Sequence, residues 1–172
     1  MKKLLPALLL CGAALNPALA QSSRYYGVVD YGNVSYSGPG NYSSPGALSL
    51  SGGYNFLTNL DLEAGITLIG NADATVPGPG RVDLSEHIIH AVAVGKVPLN
   101  PQITLFGKAG VGLHDGSING LPDDLIYGFG MQVRFDRELS MRVQYESLGS
   151  TQLPGGGTAD MTRLSLGLAY HF

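Results

Sequence analysis

Apolar residues recur at every second position over six stretches of the chain. A period of 2 rather than 3.6 predicts strands with one nonpolar and one polar face. From Leu60 to Gly70, the residues Leu60, Leu62, Ala64, Ile66 and Leu68 share one face, while Asp61, Glu63, Gly65 and Thr67 share the other. At helical spacing the same residues would scatter charge around the whole surface. Leu125, Tyr127, Phe129, Met131, Val133 and Phe135 likewise alternate with Ile126, Gly128, Gly130, Gln132 and Arg134. Ile103, Leu105, Ala109, Val111 and Leu113 oppose Gln102, Thr104, Lys108 and His114, and Leu139, Met141, Val143 and Tyr145 oppose Ser140, Arg142, Gln144 and Glu146. Leu48, Leu50, Tyr54 and Phe56 oppose Ser49, Ser51 and Asn55. The last stretch sets Leu164, Leu166, Leu168, Tyr170 and Phe172 against Arg163, Ser165, Gly167, Ala169 and His171.

Two further segments, 25–36 and 83–97, bring the expected strand count to eight, but their alternation leaves the facing open. In the second, the arrangement that hides charge puts Ile89, Ala91, Ala93 and Val97 outside and Glu86, His90 and Lys96 inside. The connections alternate in length. Leu57 to Asn59, Pro98 to Pro101 and Asp136 to Glu138 are short turns. Ser37 to Pro45, Asn71 to Arg81, Asp115 to Asp124 and Gly149 to Asp160 are longer and rich in Gly, Pro, Ser and Asn.

Strands whose alternate face is this apolar need either a second sheet or lipid. The chain opens with Met1, Lys2 and Lys3, an apolar run from Leu4 to about Leu15, and Ala18-Leu19-Ala20. This order reads as a leader, residues 1–20, cut after Ala20 and followed by one domain, 21–172. Beyond the leader there is no run of roughly 18 apolar residues, so no helix is expected to span a bilayer. A spanning chain without such a helix has to close into a barrel, because lipid cannot satisfy open backbone N–H and C=O groups. The expected fold is therefore all-β: an eight-stranded antiparallel up-and-down transmembrane barrel with short turns in the periplasm and longer loops outside.

Charge and cysteine usage agree with export. The formal net charge is −3, and loss of Lys2 and Lys3 takes it to −5, which argues against a nucleic-acid partner. The one cysteine, Cys11, lies in the leader, so the exported part carries no thiol. Lipidation at Cys11 is disfavoured because Leu10 stands where a lipoprotein leader wants a small residue.

An aromatic end with apolar residues two apart behind it, Leu164, Leu166, Leu168, Tyr170 and Phe172, looks like the insertion signal of outer-membrane barrels. From these residues outward the chain resembles the transmembrane barrel of the OmpA family over nearly all of 24–172. LSLSGGYNFLTNLDLEAGITLIG is similar to that family's second hairpin, ELSMRVQYESLG to its seventh strand and LSLGLAYHF to its terminal strand. The resemblance implies an outer-membrane location in a Gram-negative cell. The expected partners are outer-membrane lipid and, during insertion, the barrel-assembly machinery, with no nucleic acid and a monomeric state. With nothing after Phe172, a wall-binding domain is not expected.

A barrel of eight strands has a lumen that side chains can fill, so inward charges must pair there. The candidates are Asp61, Glu63, Lys108, Gln132, Arg134, Arg142 and Glu146. Counted from the short turns, Glu63 with Arg142 is the best pair, with Lys108 and Glu146 higher. The resemblance implies a Glu–Arg bridge at Glu63 and Arg142, discussed in that family as a gate with a Lys and a second Glu as alternative partners. Here Val94 stands at the Lys position and Gln132 at the second Glu, which weakens a partner-swapping gate unless Lys108 or Lys96 substitutes.

The expected function is a structural barrel with a plugged lumen or a narrow ion pore. Adhesion through the outer loops is the alternative, and lipid A modification is weaker still. His114, Asp115 and Ser117, or Glu86, His87 and His90, are the tempting catalytic sets, but adjacency in a loop does not place a base against a nucleophile. No catalytic residue, cofactor or metal site is expected: His87 and His90 fall on opposite faces of a strand. GKAGVG at 107–112 lacks the Lys-Ser/Thr of a phosphate loop.

Overall fold

A computed structural model describes residues 24–38, 41–76, 80–114, 124–152 and 158–172. Among the described residues nine strands follow in order: β1 (Tyr25–Ser37), β2 (Asn41–Tyr42), β3 (Gly46–Leu57), β4 (Leu60–Val76), β5 (Gly80–Pro98), β6 (Ile103–His114), β7 (Asp124–Arg134), β8 (Leu139–Gln152) and β9 (Thr158–His171). β2 is a two-residue addition to β4. The eight long strands pair antiparallel with their chain neighbours, and β1 pairs with β9, so the sheet closes on itself. Closure leaves no edge along the barrel wall, which is the condition for a sheet to sit in hydrocarbon.

The alternation predicted from sequence becomes two walls. Leu62, Ile66 and Leu68 of β4, Leu125, Tyr127 and Phe129 of β7, and Leu164, Leu166 and Leu168 of β9 are exposed on the outside, while Asp61, Glu63, Thr67, Arg163 and Ser165 are buried in the lumen. A contiguous apolar belt of this size would drive association in water, and it matches a lipid-facing band. The two open facings are resolved. In β1, Tyr26, Val28, Asp30 and Val34 point inward, with Tyr25, Val29 and Tyr31 outward. In β5, Ile89 and Val97 face out and His90 is buried inside.

Two of the short turns share one device. Asn100 Oδ1 accepts the N–H groups of Gln102 (2.8 Å) and Ile103 (2.7 Å), and Asp136 Oδ1 accepts those of Glu138 (2.8 Å) and Leu139 (2.7 Å). Each side chain mimics the backbone of a turn and sets the register of the strand that follows.

At the opposite end the expected loops need correction. Asn71 to Arg81 is mostly strand: β4 and β5 stay paired from Ala72↔Leu84 to Val76↔Gly80, beyond the last pairings with β3 (Ala47↔Ile69) and β6 (Ile88↔His114). A register shift between Ile69 and Ala72 breaks the alternation there, so a bulge reads in the sequence as the end of a strand. Ser37 to Pro45 contains β2. The Gly149 to Asp160 connection is also shorter than expected, because β8 runs to Gln152 through an irregularity at Ser147/Gly149 where Gly149 adopts φ 92°. That left-handed value suits a residue without a Cβ. Residues 115–123 lie outside the described ones.

The lumen is layered. Toward the long-hairpin end, seven of the eight long strands each send one apolar side chain inward: Val34, Ala47, Ile69, Ile88, Ile126, Leu148 and Met161, none more than 5% exposed. The eighth, β6, places Gly112 there, where a Cβ would press on Ile126 Cδ1 at 2.7 Å and Ile88 Cγ2 at 3.3 Å. Below this apolar layer come the charges.

Candidate functional site

The lumen charges form two tiers. The tier nearer the short turns centres on Arg142 of β8. Its Nε and Nη2 donate to Asp30 Oδ1 (3.0 Å) and Oδ2 (2.9 Å), and its Nη1 donates to Glu63 Oε1 (2.7 Å). A planar guanidinium suits two carboxylates at once because its donors lie in a fixed fork. Tyr26 OH donates to Glu63 Oε1 (2.8 Å) and reaches Asp61 Oδ2 (3.1 Å), and Lys96 Nζ meets Asp61 Oδ1 at 2.6 Å and Asn55 Oδ1 at 3.0 Å. The Phe106 ring lies under Arg142, 5.8 Å from Cζ to centroid.

The second tier is built on β6, β8 and β9. Glu146 is held by both Lys108 and Arg163 through ion pairs, and Lys108 Nζ also donates to Gln144 Oε1 (3.2 Å). Lys108 reaches Glu146 across β7 because Gly128 lies between them in register. A Cβ there would stand 2.6 Å from that of Glu146. On the neighbouring wall His90 Nε2 lies 3.3 Å from Ser51 Oγ, and Thr67 Oγ1 donates to Ser49 Oγ (3.1 Å).

Of the sequence candidates, Asp61, Glu63 and Arg142 meet in the first tier, and Lys108 and Glu146 in the second. Gln132 stands apart, donating to Ser140 Oγ at 2.7 Å. Arg134 shares the inward parity but is exposed at the short-turn rim and takes part in no ion pair among the described residues. Asp30, Tyr26, Lys96 and Arg163 complete the network. Arg163 was legible by parity, opposite Leu164 in the alternation. Asp30 was not, because Val28 and Val34 are inward and apolar on the same strand. Val94, standing at the resembling family's Lys position, is buried in the lumen wall.

The wall facing lipid has its own aromatic contacts near the short turns: Tyr25 with Tyr54 (5.1 Å between centroids) and Tyr170 with Phe172 (5.4 Å, edge to face). Leu164, Leu166, Leu168, Tyr170 and Phe172 all project outward. Outside the spanning segments, the Asp136 carboxyl is held below the ordinary carboxylate range by the N–H groups of Leu139 and Glu138.

Candidate catalytic residues are not assembled among the described residues. His114 Nδ1 meets Asp124 Oδ2 at 3.4 Å, while His87 is exposed and His90 is buried in the lumen. Asp115 and Ser117 lie outside the described residues, as does the side chain of Glu86. No group of three or more His, Cys, Asp or Glu side chains is poised to hold a metal among the described residues.

A closed eight-stranded antiparallel barrel with an apolar outer belt and a polar, ion-paired lumen defines a small transmembrane β-barrel. The chain belongs to the outer membrane protein beta-barrel domain family, whose sequence model matches residues 4–172. Its fold is similar to that of Neisserial surface protein A (TM-score 0.65, 14% identity, 87% of this chain and 98% of that one). It is also similar to the N-terminal β-barrel of OprF from Pseudomonas aeruginosa (0.58, 12%, 88% and 100%) and to Ail, the attachment invasion locus protein of Yersinia pestis (0.55, 16%, 88% and 100%). No curated protein matches the chain by sequence. It is a small outer-membrane barrel of this type.

Proposed function

We propose that the protein is a structural component of the outer membrane with a sealed lumen and no catalytic role. The observation that carries this reading is the apolar layer of Val34, Ala47, Ile69, Ile88, Ile126, Leu148 and Met161 lying over two tiers of paired charge. An ion crossing the barrel would have to shed water against that layer and displace ion pairs in both tiers. The companion proposals are a leader removed after Ala20, an annulus of outer-membrane lipid, recognition of the β9 outer face by the assembly machinery, and a monomeric state. N-terminal sequencing of the mature protein should begin at Gln21.

Planar-bilayer recording tests the seal. Purified wild-type protein is expected to give no unitary channels at high density; reproducible channels altered by Glu63→Ala or Arg142→Ala would establish the narrow pore instead.

A second reading rests on the β4–β5 ribbon, which continues past its neighbours and carries β2, so that it stands as a ledge on the outer side. A raised ribbon of this kind suits contact with another surface, and a similar fold is that of Ail, named the attachment invasion locus protein. Comparing cell binding of intact protein with a variant shortened between Asn71 and Arg81 tests it: equal binding removes this reading.

A further inference from the structure

The two tiers are not charged alike. The first sets Arg142 and Lys96 against Asp30, Asp61 and Glu63, whereas the second sets Lys108 and Arg163 against Glu146 alone. The second tier therefore carries an excess cation. Its geometry is a square on the lumen wall, with Gln144 opposite Ser165 and Glu146 opposite Arg163 across β8 and β9. All four side chains are at least nine-tenths buried: Gln144 1%, Glu146 2%, Arg163 1% and Ser165 3% exposed.

Within that square both carboxylate oxygens of Glu146 are engaged in ion pairs, while most of the N–H donors are not engaged. Glu146 gives one oxygen to Lys108 and the other to Arg163. The amide oxygen of Gln144 takes Lys108, which can only donate, so the Gln144 NH2 is turned to the free side. Among the described residues, Arg163 Nε and Nη1, Gln144 Nε2 and Ser165 Oγ have no hydrogen-bond partner. Leaving such buried donors unpaired is unfavourable, most of all for a charged group. A water molecule could accept from them but would also have two protons to place, on Ser165 Oγ or on the remaining lone pairs of Glu146 and Gln144. An anion accepts and has no proton to place.

We infer that the second tier is a binding site for one small monovalent anion of the halide class, held by Arg163, the Gln144 amide and the Ser165 hydroxyl. The anion offsets the excess cation and fixes β8 to β9 just beneath the apolar layer. This role is independent of whether the barrel conducts, since a bound ion needs no path through the layer.

The test uses the full chain refolded in detergent in parallel at increasing sodium bromide, with sodium gluconate making up constant ionic strength and one sample free of halide. Two readouts are taken: the thermal midpoint for loss of the compact electrophoretic form, and the anomalous scattering of bromide in crystals. The expected result is a saturable rise of the midpoint, with an anomalous peak within hydrogen-bond reach of Arg163 and Gln144. The double substitution Gln144→Leu with Ser165→Ala keeps every charge and should raise the half-saturating bromide concentration by about tenfold or more. Equal response of wild type and double variant, or no difference between bromide and gluconate, overturns the proposal. If the double variant does not form the compact species, the wild-type anomalous map decides, and a lumen free of bromide rejects the site.

Discussion

On β8 and β9 two successive cross-strand pairs, Arg142 with Gly167 and Val143 with Leu166, point to opposite walls of the same sheet. Arg142 is 3% exposed to solvent and holds two named carboxylates, Asp30 and Glu63, at 2.7 to 3.0 Å. Leu166 is 53% exposed and belongs to the outward apolar row of β9. The inner wall is therefore specified by partners, each of which would be left as a buried charge if the other were removed. The outer wall is specified by transfer into hydrocarbon, for which one apolar side chain serves nearly as well as another. Two strands carry both rules at once because consecutive side chains alternate.

The largest expected effect breaks a partner on the inner wall. Arg142→Ala strands Asp30 and Glu63 and should lower stability by about 3–5 kcal/mol. The chain has no Trp, so urea unfolding in lipid vesicles is best followed by the heat-modifiable gel shift rather than by tryptophan emission. A cost no larger than that of Leu166→Val would erase the distinction between the walls.

Next in size is a charge on the outer wall. Leu166→Arg should cost about 2–4 kcal/mol if the position lies near the bilayer midplane, and Leu166→Val only a small fraction of that. The same titration in detergent of shorter chain length should shrink the difference.

Third is a packing change on the inner wall with no change of charge. Gly167 faces Asp30, and a Cβ at that position would collide with the Asp30 carboxylate. Gly167→Ala should therefore cost about 1–3 kcal/mol, as overpacking does, and double-mutant analysis with Asp30→Asn should reveal coupling between the two sites. Strict additivity would mean that Asp30 simply moves aside.

The smallest effect belongs to neither wall. The Asp136 carboxyl is lowered by the N–H groups of Leu139 and Glu138, so its contribution is fully present above the ordinary aspartate range and is lost as pH falls through the lowered value. Wild type should lose slightly more stability on acidification than Asp136→Asn, which keeps the amide oxygen as acceptor but does not titrate. Identical acid profiles would remove the turn from the account.

The eight barrel strands, the positions of the short turns and the assignment of β3, β4, β6, β7, β8 and β9 to two faces were all legible in the sequence. Alternation is a local consequence of strand geometry, and every pair of residues reports it. Reading failed where that local signal was diluted. The bulge after Ile69 hid the continuation of β4, and inward Val28 and Val34 masked the lumen face of β1 and with it Asp30. The apolar layer escaped notice for a related reason: Ile88, Ile126, Leu148 and Met161 are apolar at inward positions, where a polar lumen is the usual expectation.

What the sequence determined by itself, on the six cleanly alternating strands, was which medium a side chain meets, since parity along a strand needs no knowledge of the neighbouring strands. Which charge meets which was decided only by the tertiary structure. Glu63 and Arg142 lie 79 positions apart and Asp30 and Arg142 lie 112 apart, and their meeting depends on closure of β1 against β9 and on the stagger of all the strands between. The same stagger divides four acids and four bases into one tier short of a cation and one tier with a cation to spare. Composition cannot show that division, because the eight charges balance in sum and differ only in height.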